Sequence, residues 1–138
     1  MPKVDFAGSS TRHLRDARLL LAAGRHDNSF YLSGYVVECA LKAVSDWSGL
    51  AAEKLGHKLM KLEGEALELA MAIAPATARY RPPTVSVRAV SSAWGTERRY
   101  YADEVTAQQA GSILREAGTV WESCVGEMFL DGLIQELP

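Results

Sequence analysis

Two short stretches hold the residues best suited to chemistry. Arg79-Tyr80-Arg81 and Arg98-Arg99-Tyr100-Tyr101 interleave cations with aromatic rings. Guanidinium groups hold phosphates in a bidentate fork, and flat rings stack on unpaired bases. Arg79, Arg81, Arg98, Arg99 and Tyr100 are therefore candidates for contact with a nucleotide or RNA. The competing reading is that these are loop arginines paired with the acidic end of the chain. Residues 101–138 carry Arg115 alone against seven acids, although the whole chain has a net charge of only -2. Such segregation means pairing within the fold or across a dimer, or a basic surface for phosphates.

A further polar candidate is Glu38. It interrupts a run from Phe30 to Trp47 that is apolar on nearly every side, and a helix apolar all round is normally buried. A buried carboxylate is costly unless it is paired. Glu38 precedes Lys42 by four residues, the favourable orientation for a helical ion pair. Glu38 and Lys42 are read as a buried polar organiser: Glu38 pairs with Lys42 or with an arginine such as Arg98 or Arg99, and so fixes how the second helix meets the fourth, arginine-rich segment. A place in a polar cavity is the alternative.

Other chemistry has little support. His13, His26 and His57 fall on different elements, and no His-Glu-x-x-His or Cys-x-x-Cys spacing occurs. No metal or other cofactor is expected. Nucleophile-elbow, P-loop and dinucleotide motifs are absent, and no base is placed to activate a serine or cysteine. No residue is assigned as catalytic. Cys39 and Cys124 lie in apolar helical patterns and are read as core thiols.

These residues need elements to position them. Ser9 or Ser10 can cap a first helix whose stripe is Leu14, Ala17, Leu20 and Leu21, closed by Gly24. Asp27 can cap a second helix that runs to Gly49, long enough to be central. Leu59, Leu62, Ala66, Leu69 and Ile73 recur at helical spacing and predict a third helix ending before Pro75. Residues 84–94 fit both periods. They are read as a helix, because a lone strand would leave its backbone groups unpaired. Residues 95–105 read as a loop. Thr106 and Gln109 have capping-box spacing and open a final helix. Its stripe is Ala110, Ile113, Leu114, Ala117, Val120, Trp121, Cys124, Val125 and Met128. Gly111, Gly118 and Gly126 interrupt this helix at about 1 kcal/mol each against Ala, which suggests the close approach of another helix. The prediction is a single all-α domain over residues 1–138: an antiparallel up-and-down bundle of four long helices and one shorter one.

At 138 residues and 48% apolar composition, the chain suits one ordinary core. No apolar run reaches membrane-spanning length and the N-terminus lacks a secretory core, so no membrane association and a cytoplasmic location are expected.

Four blocks together resemble the bacterial HEPN domain ("higher eukaryotes and prokaryotes nucleotide-binding"). They are Arg12-His13-Leu14-Arg15-Asp16-Ala17 with Gly24-Arg25; Tyr31 to Lys42, in which Gly34–Lys42 is the most specific part; Gly56-His57-Lys58-Leu59; and Trp94-Gly95-Thr96-Glu97-Arg98-Arg99-Tyr100. The match spans about residues 10–128. It implies a HEPN-like helical bundle, commonly a homodimer, in a toxin–antitoxin or other defence system, often with a minimal nucleotidyltransferase as partner. Many such domains are metal-independent ribonucleases that use Arg, four to six residues, then His. No Arg–His pair here has that spacing; Arg18 and His26 come nearest, with seven residues between them. Ribonuclease activity is therefore not carried over. The expected function is a nucleotide- or RNA-associated binding module. The alternatives are a ribonuclease with a rearranged site using Arg98, Arg99, Tyr100 and His26 or His57, and a structural dimerisation domain built on the glycine-rich final helix.

Overall fold

Asp5 starts the first helix. Its carboxylate accepts the Gly8 amide at 2.9 Å, and α1 runs over Phe6–Ala22. The helix thus begins before Ser9 and Ser10, the caps expected from sequence. Asp caps as well as Ser, and the earlier start brings Phe6 and Ala7 against the core. Ser10 is buried instead, and its hydroxyl donates to the Val36 carbonyl at 2.7 Å. Gly24, with φ +77°, turns the chain out of α1, and the Arg25 amide reaches back to the Leu20 carbonyl.

The computed structural model describes residues 3–101, 104–135 and 137, and at residue 99 the backbone alone. It is all-α, and no strand forms among the described residues. Helix α2 (His26–Trp47) buries fourteen of its twenty-two residues. It is packed by α1 and by three later helices, α4 (Leu67–Ile73), α5 (Thr84–Ser91) and α6 (Ala107–Trp121), as a helix apolar all round must be. Its small polar residues satisfy the close contact with α1: Ser29 donates to the Ala17 carbonyl at 2.8 Å. Gly49, with φ +103°, closes it.

The third helical run departs from its expected face. A π turn (Leu62–Ala66) separates α3 (Leu59–Lys61) from α4 (Leu67–Ile73). The extra residue in a π turn rotates everything after it by roughly 100°. Leu59 and Leu62 are buried as the periodicity requires, but Leu67 and Ala70 then take the core positions expected of Leu69 and Ile73. The latter two are 52% and 53% exposed. A 3-10 turn (Pro75–Tyr80) follows, and the ambiguous segment is helical, as α5 (Thr84–Ser91).

After a 3-10 turn (Thr96–Tyr100), α6 (Ala107–Trp121) opens with the full capping box: Thr106 accepts the Gln109 amide, and Gln109 accepts the Thr106 amide. A second π turn (Glu122–Gly126) leads into α7 (Glu127–Leu130). The predicted stripe is in place, with Ala110, Leu114, Ala117, Val120, Cys124, Val125 and Met128 buried. The glycines of this helix are not needed for packing within the chain. A Cβ on Gly111 or Gly118 would meet nothing closer than 3.7 Å. Among the described residues no helix is long and apolar enough to cross a membrane.

Candidate functional site

The charged candidates on the arginine-rich segments are largely neutralised. Arg79 forks onto Asp131 through Nε and Nη2, and lies 3.6 Å from Glu127. Tyr80 donates its hydroxyl to the same Asp131 carboxylate at 2.7 Å. These bonds, that from Arg79 first, hold the Asp131 carboxyl below its ordinary range. Arg81 places Nε and Nη2 at 3.3 and 3.2 Å from one oxygen of Glu63, which also accepts from Thr84 at 2.8 Å. Glu63 belongs to the first π turn and is buried. A phosphate would have to displace a carboxylate at both arginines.

Arg98 is held differently. Its Nε donates to the Ala93 carbonyl at 3.2 Å, and its guanidinium carbon stands 4.7 Å from the Phe30 ring centre and 5.2 Å from that of Tyr101. Its carboxylate contact is the loosest of the three, 3.8 Å to a Glu104 side chain that is 66% exposed. Arg98 also lines a cavity of about 620 Å³ with Phe30, Val105, Gln108, Gln109 and Ser112. Tyr100 is 76% exposed on the adjoining turn, and the side chain of Arg99 lies outside the described residues. Asp27 supports this region rather than capping α2 as expected. The helix cap is Arg25, without a side-chain bond, and the Asp27 carboxylate accepts the amides of Glu104 and Val105 at 3.1 and 3.0 Å. An acid in the first turn still complements the helix dipole.

Glu38 and Lys42 are both buried, with Nζ and Oε2 3.4 Å apart. Of the alternatives expected for Glu38, Lys42 is thus the one in place, and Arg98 is elsewhere. Arg98 packs on Phe30, two turns and about 12 Å of helix before Glu38. His57 is the second partner, with Nδ1 2.8 Å from Glu38 Oε1. An acceptor carboxylate on Nδ1 fixes the tautomer and leaves Nε2 to solvent or a ligand. The His57 side chain is 60% exposed, whereas that of Glu38 is 6% exposed.

The same face of α2 carries an aromatic group. Trp94 donates Nε1–H to the Tyr31 carbonyl at 2.8 Å and meets Tyr35 edge to face at 5.0 Å. The Tyr31 and Tyr35 hydroxyls are 3.1 Å apart, and the His13 ring lies 5.9 Å from Tyr35. Gly34 makes this packing achievable. A Cβ there would fall on the indole of Trp94, well inside 3.0 Å. Burial and then the neighbouring Arg12 charge lower the His13 pKa, so it is neutral at pH 7. Cys39 is a buried thiol pushed up to about 12, by burial first and then by the Glu38 charge; Cys124 is raised by burial alone. Neither is a ready nucleophile. No metal-binding group of His, Cys, Asp or Glu occurs among the described residues.

Sequence reasoning missed the Glu38–His57 and Gly34–Trp94 pairs, the buried Glu63 and the role of Asp27. One signal was available: a glycine in the middle of a helix costs about 1 kcal/mol and calls for a packing reason. The other pairings join residues distant in sequence and leave no local pattern. No protein-family model matches this chain, and neither curated proteins nor solved structures yield a match.

Proposed function

We propose that this chain is a HEPN-like, nucleotide- or RNA-associated binding module that acts as a homodimer and as partner of a minimal nucleotidyltransferase in a toxin–antitoxin or defence system. The supporting observation is convergence. The four blocks that carry the resemblance are scattered over the sequence, yet meet on one face of α2: His13 against Tyr35, Tyr31 and Gly34 against Trp94, and Glu38 against His57. The contacts Ser10–Val36 and Ala17–Ser29 advance along α1 while receding along α2, which favours the antiparallel up-and-down arrangement. Within this reading Arg98 is the phosphate contact. Its one carboxylate neighbour among the described residues is exposed and displaceable, and Phe30, Gln108 and Ser112 supply apolar and polar walls for a base or sugar.

Thermal denaturation with ATP or a short single-stranded RNA, in the presence of EDTA, tests this. Ligand at about 100 times its Kd stabilises by about 2.7 kcal/mol, a melting rise of several degrees. Glu104→Gln, which removes the competing carboxylate, strengthens binding; Arg98→Gln abolishes it; the RNA stays intact. No melting shift with either ligand in wild type or Glu104→Gln would defeat the nucleotide reading. Failure to co-purify with a nucleotidyltransferase encoded beside it would defeat the partnership.

The 2.8 Å Glu38–His57 contact favours a second reading, a ribonuclease with a rearranged site, since a carboxylate-held imidazole can shuttle protons. Arg98 of the same chain is too far along α2 to join it. Metal-free RNA cleavage that disappears in His57→Ala would carry this reading over the first.

A further inference from the structure

A second cavity opens beside His57. It holds about 490 Å³ and is walled by Leu55, Leu62, Ala66 and Leu69, with His57, Lys58 and Lys61 at its edge against the single acid Glu65. Two independent features shape it. The π turn over Leu62–Ala66 swings Leu69 out of the core, where its helical spacing would put it, and onto the cavity wall at 52% exposure. The buried Glu38 carboxylate holds the largely exposed His57 ring at the edge through Nδ1. A mostly exposed imidazole adds little to the fold, so this bond chiefly fixes where the ring stands. An apolar wall with cations at its edge is complementary to a molecule with an apolar body and an anionic head.

The geometry points to a binding site for a small amphiphilic carboxylate, its chain against Leu62, Ala66 and Leu69 and its head beside His57 and Lys61. This site is separate from the Arg98 cavity and does not rest on nucleotide binding. Lys58 and Lys61 are exposed, and the Glu65 carboxylate repels an anionic head group, which favours seating it beside His57 and Lys61.

Decanoate is the probe, titrated into the full chain below its micelle concentration and followed by calorimetry and by leucine, valine and isoleucine methyl resonances. Saturable one-to-one binding is expected at about 1 mM or tighter, with shifts at Leu62 and Leu69. Leu69→Ser removes apolar wall without touching the core and weakens binding about tenfold. Lys61→Glu weakens it about fivefold, the scale of a rim charge reversed. Decanol, which lacks the charge, binds more weakly than decanoate by a similar factor. Circular dichroism melting of both variants stays near wild type, so the losses report the site and not unfolding. The proposal is overturned by non-saturable uptake, by equal affinity of decanol, by variants that bind like wild type, or by methyl shifts confined to the Arg98 cavity. A melting temperature that rises with protein concentration in wild type but not in Leu69→Ser would assign the wall to a second copy and also overturn it.

Discussion

Replacing Gly34 by alanine probes the joint between two of the blocks that define the candidate site. On propensity alone the change should stabilise, since Ala gains about 1 kcal/mol over Gly in a helix interior. The structure demands the opposite sign. The new methyl group would fall on Cε2, Cδ2 and Nε1 of Trp94, a rigid ring held by its bond to the Tyr31 carbonyl and by its edge contact with Tyr35. The indole must retreat by more than an ångström. Overpacking of this kind costs about 1–3 kcal/mol, and loss of the Trp94–Tyr31 hydrogen bond adds about 1 kcal/mol. The net is a destabilisation of about 2 kcal/mol. For a chain of this size that lowers the melting temperature by about 6–10 °C. Urea denaturation measures the free energy, and a double-mutant cycle isolates the cause. Trp94→Ala alone should cost about 3–5 kcal/mol, but Gly34→Ala added to it should cost nothing or stabilise, because the vacated space accepts the methyl. A Gly34→Ala protein as stable as wild type, or a cycle that is additive, would refute the close approach.

Other perturbations have definite expected outcomes. Glu38→Leu leaves Lys42 buried without its partner and should cost about 3–5 kcal/mol in urea unfolding, whereas Glu38→Leu with Lys42→Met should recover most of the loss. The lowered pKa of His13 means that the folded chain takes up its proton less readily than the unfolded one. Its contribution is lost as pH falls through about 6.5, so His13→Gln should lose less stability than wild type between pH 7.5 and 5.5. Asp131 has a linkage of the same sign at lower pH. Its depressed pKa gives stability above pH 3.8 that is lost as pH falls through the folded value, so Asp131→Asn should shallow the acid-unfolding limb. Cys39 and Cys124 should resist an aromatic disulfide reagent in the folded protein at pH 8 and react at once in denaturant.

How far the sequence could be read follows from the range of the forces involved. Helix ends at Gly24, Gly49 and the Thr106 capping box are decided within a few residues and were legible. The burial of α2 was legible because its composition leaves no wet face. The face of the third helical run was not. A π turn has no strong composition signal, and the periodicity of Leu59, Leu62, Ala66, Leu69 and Ile73 assumes an unbroken α-helix. In the candidate site Glu38 was found by its oddity, an acid inside an apolar helix. Its pair with Lys42 was legible from the i,i+4 spacing, but its second partner was not, because His57 lies nineteen residues away on a connecting segment, and an arginine was the more obvious alternative. Asp27 was misjudged for the same reason: it could cap locally, but two backbone amides of residues 104 and 105, brought in by the fold, take its carboxylate.

The segregation of charge along the chain has a consequence for assembly. Sequence left open whether basic and acidic segments meet within one chain or between two. Arg79 meets Asp131 and Glu127, and Arg98 meets Glu104, all inside a single chain. Arg81 turns to Glu63, in the first π turn, while Glu127 directly follows the second. The segment between α4 and α5 thereby fastens both irregular helices, which gives Arg79 and Arg81 a structural task before any ligand is considered. Exchange of these ion pairs between two copies would gain little, because each pair is already made and most are exposed to solvent. The proposed homodimer would therefore have to be driven by apolar surface. Leu19, Val85 and Leu130, each more than two-thirds exposed, are where substitution by a charged residue should dissociate it while leaving the fold intact.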